Sequence, residues 1–133
     1  RAYADRLSLP SALGDLISSY SHGMRQKLVL IGALVHQPTL LVLDEPFVGL
    51  DRDLRDILVA MLVEKIERQG MACMLVTHDR FEAARLSHEI MLLSTKSMNV
   101  QNVITLPTPL SERDSAFEEA VVAREFQGIH YYE

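Results

Sequence analysis

Cysteine occurs once in the 133 residues, at Cys73, so no intrachain disulfide can form and a reducing compartment is the natural setting. Its neighbours Ala72 and Met74 are apolar, which marks the thiol as buried filler instead of a reactive group. Positive charge is scarce too: 13 Lys and Arg against 18 Asp and Glu leave a net charge of −5. No basic field is available to gather phosphates, so passive binding to nucleic acid is not expected. Long hydrophobic runs are also missing. The longest aliphatic stretch, residues 28–35, falls far short of the ~20 residues that span a bilayer, and any membrane role must be peripheral. Residues 1–8 mix charged and apolar side chains, unlike a secretory leader. The first residue is Arg1, not methionine, so the chain is expected to begin inside a larger protein. What is present is ordinary for a soluble globular protein: 48% apolar and 23% charged residues, enough for one domain with a core.

Pro10 and Gly14 break the first segment into what read as two small helices with turns. Residues 22–36 follow Ser21 and stop before Pro38, and their length and helix formers (Met24, Arg25, Gln26, Lys27, Leu28) predict a largely buried helix. The aliphatic run 39–43 reads as a buried parallel strand. After Gly49, the positions Leu54, Ile57, Leu58, Met61, Leu62 and Ile66 form one apolar stripe at helical spacing. Asp51 or Asp53 can cap that helix at its start and Gly70 can stop it. A strand over 71–76 follows, then a helix over 79–87 and strands over 89–94 and 100–106, the last two joined by a hairpin turn at 96–99. This alternation predicts an α/β sandwich with right-handed crossovers. A terminal helix over 111–127 completes the chain, with Ser115 and Glu118 at capping-box spacing.

In a parallel sheet, ligands gather at the carboxyl ends of the strands. One predicted strand ends at Asp44-Glu45 and the next at His78, so both chemical groups are expected on one rim. Adjacent residues at a strand end point in different directions, which allows the two acids separate tasks. One can face a magnesium ion through its water shell, while the other orients or deprotonates an attacking water. His78 would hold the transferring phosphate and that water in line. Singly, each residue also has an ordinary structural role. Asp-Glu-Pro can be acids at a helix start, His78 a turn residue, Ser21 a helix cap and Gly49 a turn. Order and spacing decide between these readings.

Read together, these residues resemble the ATP-binding-cassette (ABC) ATPases, over about residues 11–94. Tyr20-Ser21-His22-Gly23-Met24-Arg25-Gln26-Lys27-Leu28 resembles the family's signature motif, and Leu40-Leu41-Val42-Leu43-Asp44-Glu45-Pro46 its Walker B strand with the catalytic glutamate. Gly49-Leu50-Asp51 is similar to the D-loop, and Thr77-His78-Asp79 to the switch-histidine loop. Four motifs in the family's order make a chance match improbable. The resemblance implies a partial P-loop NTPase fold of α/β class with a mainly parallel sheet. Residues 1–38 would belong to the helical signature subdomain, 39–106 to the catalytic core and 107–133 to a helical tail. It implies ATP and Mg2+ as cofactors, with Asp44 positioning the metal, Glu45 as general base and His78 steadying the γ-phosphate. Ser21, His22, Gly23 and Met24 would cover the nucleotide of a second ATPase subunit, and Asp51 would carry contact across that dimer.

The signature departs from its usual form in carrying His22 in place of a second glycine and Met24 in place of glutamine, a variation similar to one branch of bacterial exporters. No Gly-x-x-x-x-Gly-Lys-Ser/Thr sequence occurs, so Walker A is missing, as is the glutamine loop. In the family the Walker A strand pairs beside the switch-histidine strand, and its absence should leave strand 71–76 with an open apolar flank. The chain alone is therefore expected neither to bind ATP tightly nor to hydrolyse it. The implied function is the ATPase subunit of a membrane transporter, peripheral at the cytoplasmic face and partnered by a transmembrane permease. The alternative is a non-transport ABC ATPase acting on DNA or ribosomes. Such relatives interrupt this region with inserted modules, and the short path from signature to Walker B favours transport. Direction is divided: the signature points to export, whereas residues 81–87 and the tail resemble nitrate- or taurine-type importers.

Overall fold

The computed structural model describes residues 18, 21–94 and 96–127, and the two small helices expected before Ser21 lie outside them. The chain divides into two compact units, Arg1–Val76 and Thr77–Glu133. In the first, helix α1 (His22–Val35) begins where the Ser21 hydroxyl accepts the Met24 N–H at 3.2 Å, and it ends at the His36 cap before Pro38. Strand β1 (Leu40–Asp44) leads through a loop to α2 (Arg52–Gln69), which returns the chain to β2 (Ala72–Val76). The two strands are parallel, with Val42 opposite Met74 and Asp44 opposite Val76. Both expected signals at the ends of α2 operate. The Asp51 carboxylate accepts the Leu54 N–H, and Gly70 closes the helix with φ 66°, a left-handed conformation that glycine adopts without steric cost.

The core of this unit lies between α1, β1 and α2. Leu34, Phe47, Met61 and Leu62 are its largest fully buried side chains, each contributing about 1.5–3 kcal/mol by leaving water. The apolar stripe of α2 is realised at Leu54, Leu58, Met61 and Leu62, but Ile57 is 39% exposed. Val63 and Lys65 are buried instead, the lysine donating from Nζ to Gln69 Oε1 at 2.7 Å. On one face of the parallel pair Leu40, Val42, Met74 and Val76 are all more than half exposed. Parallel sheets are ordinarily covered on both faces. Among the described residues β2 pairs only with β1.

In the second unit, α3 (Arg80–Leu86) precedes β3 (Glu89–Leu93) and β4 (Val100–Thr105), which pair antiparallel. The expected single run of crossover-linked strands is therefore replaced by two two-stranded sheets, one parallel and one antiparallel. The hairpin expected at 96–99 forms: the Ser94 N–H bonds to the Asn99 carbonyl at 2.9 Å, closing a tight turn that pairs β4 with β3. The α/β class stands. Ala84, Ile90, Leu92, Ile104, Val121 and Phe126 form the core here.

The tail differs from expectation at its start. A 3-10 turn, Leu110–Glu112, precedes α4 (Ser115–Glu125), and the cap is Asp114, which accepts the Phe117 N–H at 2.8 Å, not Ser115. Arg113, just before that cap, is only 3% exposed. Its guanidinium donates to the carbonyls of Ala84, Ser87, Leu106 and Thr108 at 2.7–3.1 Å and lies over the Phe117 ring. One cation thus ties α3, the end of β4 and the tail together.

Candidate functional site

The carboxyl end of β1 carries the acidic pair. Alternation turns Leu41 into the core and leaves Asp44, at the strand's end, exposed. The ladder continues one residue past the strand: the Glu45 N–H donates to the Val76 carbonyl at 2.8 Å, so Glu45 is fixed to the end of β2 by its backbone. Glu45 also has φ 45°, positive for a residue with a side chain and immediately before a proline. That conformation costs about 1–2 kcal/mol. It turns the chain out of the strand, with the Glu45 side chain half-buried beside the exposed Asp44. The fully buried Phe47 anchors the loop behind it. Two adjacent carboxylates are thereby held at one rim in different backbone conformations.

The loop from β1 to α2 meets the start of α1. Gly49 has φ 76°, and a Cβ built on it would lie 3.4 Å from Nε2 of His22. Gly23 faces α2, where an added Cβ would sit 3.9 Å from Leu54 Cδ2, an ordinary contact. The structure thus brings His22 and Gly23 of the signature-like segment against the segment containing Gly49, Asp51 and Leu54. Ser21 and Asp51 both serve as helix caps, and Met24 supplies the amide that Ser21 accepts. Met24 is partly buried.

His78 belongs to the second unit, two residues along the chain from the end of β2, and it is exposed. Its flanks are pinned. The Thr77 hydroxyl donates to Glu82 Oε2 at 2.8 Å and accepts the Asp79 N–H at 3.0 Å. Asp79 Oδ1 in turn accepts the N–H groups of Phe81 and Glu82 at 2.8 and 3.2 Å, capping α3. Glu82, buried to 9% exposure, was missed in the sequence. Its signal was available, because Asp79-x-x-Glu82 has capping-box spacing.

Among the described residues no group of three or more His, Cys, Asp and Glu side chains is placed to cage a metal ion. An exposed strand-end carboxylate such as Asp44 fits a different type of site, in which magnesium keeps most of its waters and takes its other oxygens from phosphates. A groove of about 230 Å3 between α1, β1 and α2 is lined mainly by apolar side chains, including Val29, Leu41, Phe47 and Leu62, and does not suit phosphates. Cys73 is half-buried, not the fully buried filler expected, and this partial burial pushes its thiol up from the usual range.

The profile of the family described as ABC transporter matches residues 2–48. An aliphatic sulfonates import ATP-binding protein of Pseudomonas entomophila is 36% identical over 124 residues, which cover 90% of this chain and 46% of that protein. Another so named, from Rhodococcus jostii, is 38% identical over 102 residues, covering 77% of this chain and 42% of its own. Among solved structures, the ATP binding subunit of an ABC transporter superposes with a TM-score of 0.70 at 27% identity, over 79% of this chain and 42% of that one. A dimeric ATP-binding cassette in a post-hydrolysis state, bound to ADP and Pi, gives a TM-score of 0.71 over 80% and 45%, and its 23% identity makes this a likeness of fold alone. The chain spans less than half the length of these curated relatives.

Proposed function

Since the chain belongs to the ABC transporter family and carries part of its ATP-binding domain, with a partial P-loop NTPase fold, we propose that the whole protein is the ATP-hydrolysing subunit of an importer. The observation that carries this is the Asp44-Glu45 pair at the carboxyl end of β1, its second member bonded to the last residue of β2. The relatives named for import of aliphatic sulfonates favour import over export and a small organic anion as cargo. The permease partner would make the choice among such anions. Among the described residues no helix is long and apolar enough to cross a membrane, in keeping with a peripheral subunit docked on that permease at the cytoplasmic face.

In this reading residues 1–38 belong to the helical signature subdomain, 39–106 to the catalytic core and 107–133 to a tail. Magnesium bound with ATP would offset phosphate charge, and Asp44 would hold its water shell. Glu45 accepts the proton of the attacking water as its oxygen bonds to the γ-phosphorus and the bond to the β-phosphate oxygen breaks. His78, by its resemblance to the switch histidine, would steady the γ-phosphate. Across the dimer, the first turn of α1 presents its amides and positive helix end to the partner's nucleotide. Ser21 and Met24 shape that turn, His22 and Gly23 lie against Gly49 and Leu54 of the segment entering α2, and Asp51 would carry contact across the dimer. Positioning and charge stabilisation do most of the catalytic work.

The test is ATP hydrolysis by the whole protein reconstituted with its permease. Stimulation by cargo is expected, together with loss of activity in His78→Ala, and the isolated 133-residue chain should be inert. Nucleotide-dependent phosphate release by the isolated chain would overturn the division of labour proposed here.

A further inference from the structure

We infer that Glu82 is a positioning residue for His78, acting through the Thr77 hydroxyl. This rests on the reading of His78 given above. The geometry is a relay: Glu82 Oε2 accepts the Thr77 O–H at 2.8 Å, and the same hydroxyl oxygen accepts the Asp79 N–H at 3.0 Å. In an ordinary capping box the acid would reach back to the cap residue's own N–H. Here that N–H is taken by Thr77, and the acid reaches beyond it to the hydroxyl. The Asp79 side chain meanwhile caps α3 through two amides. The residue before His78 and the residue after it are therefore both anchored to the start of α3, while the imidazole itself is exposed.

That arrangement suits a reacting group better than a packing group. An exposed histidine contributes little to a core, and nothing about its own burial would require a fixed backbone. A histidine that must meet a phosphate within a few tenths of an ångström gains from one, because misplacement by about 1 Å can cost on the order of a hundredfold in rate. The Glu82 carboxylate is also held where burial is unfavourable for a charge unless hydrogen bonds compensate, and the Thr77 hydroxyl supplies one.

The experiment measures ATP hydrolysis by the whole protein with its permease, in a cycle of Glu82→Ala, His78→Ala and the double variant. Glu82→Ala should lower kcat about tenfold with little change in KM for ATP. Glu82→Gln should restore most of that loss, because an amide oxygen can still accept the Thr77 O–H. In the His78→Ala background Glu82→Ala should cost nothing further, since its effect passes through the ring that is gone. A second pair guards against a Glu82→Ala protein that fails to fold: Thr77→Val should reproduce the loss and Thr77→Ser should not. An undiminished tenfold loss in the His78→Ala background, or equal activity of Thr77→Val and Thr77→Ser, overturns the inference while leaving the role of His78 intact. Full activity in His78→Ala itself sinks the functional reading instead.

Discussion

Replacing Arg113 by methionine should destabilise the second unit severely, and the structure allows the size to be worked out. The guanidinium is 3% exposed and is bonded to four backbone carbonyls. Two of them, Ala84 and Ser87, lie at the carboxyl end of α3, where a helix has unsatisfied carbonyls and favours a cation. Its bonds to Ala84 and Leu106 are fully buried, so methionine strands both oxygens away from water. Each such loss is worth about 1–3 kcal/mol. Against this stands the desolvation of the arginine itself, which the apolar replacement no longer has to bear. A net loss of about 3 kcal/mol follows, or on the order of 10 °C in melting temperature if the whole domain unfolds as one. Arg113→Lys should recover only a small part, since a single ammonium cannot serve carbonyls on separate sides. Urea titration of the whole protein, with and without each substitution, measures this directly. A methionine variant within about 1 kcal/mol of the parent would refute the reasoning.

Other expectations follow from the same geometry. Gly49→Ala meets a positive φ, its Cβ reaching only ordinary contact with the His22 ring, and should cost about 1–2 kcal/mol in denaturant unfolding, undiminished in a His22→Ala background. Asp51→Ala removes the α2 cap and should lose about 1 kcal/mol. A fall in ATPase rate larger than that of a second, cap-only variant, Asp114→Ala, would mark the contact across the dimer. The isolated chain should aggregate through the exposed face at Val42 and Met74, and Val42→Lys with Met74→Glu should reduce the scattering it gives. Cys73 should react with iodoacetamide more slowly in the folded protein than after denaturation, because its raised pKa leaves less thiolate at neutral pH.

Much of this molecule was legible in its residues because the signals were local. Ser21, Asp51 and Gly70 act as the caps that their chemistry predicts, and the strand before Asp44-Glu45 forms where the aliphatic run is unbroken. The candidate motifs were legible by their order along the chain, which no single residue would have carried. Hidden features depended on competition between neighbours. Asp114 outranks Ser115 as cap because the turn that precedes it is held by Arg113, whose partners lie up to 29 residues away. The hairpin of β3 and β4 was legible from the turn expected at 96–99, whereas the separation of that pair from β1 and β2 was not. Glu82 escaped notice because a helix-start glutamate has an ordinary use, and only coordinates distinguish a bond to Thr77 from a bond to a backbone amide.

The central claim concerns Glu45, and the measurement that tests it most directly is a comparison of nucleotide binding and turnover in Glu45→Gln. Made in the whole protein, this substitution keeps the shape of the strand end and removes the base. ATP affinity should stay within a few fold of the parent, while turnover falls by about 10²–10⁴ and the nucleotide remains bound as ATP. Unchanged turnover with intact binding would contradict the account, because the strand-end carboxylate would then have no part in moving the proton.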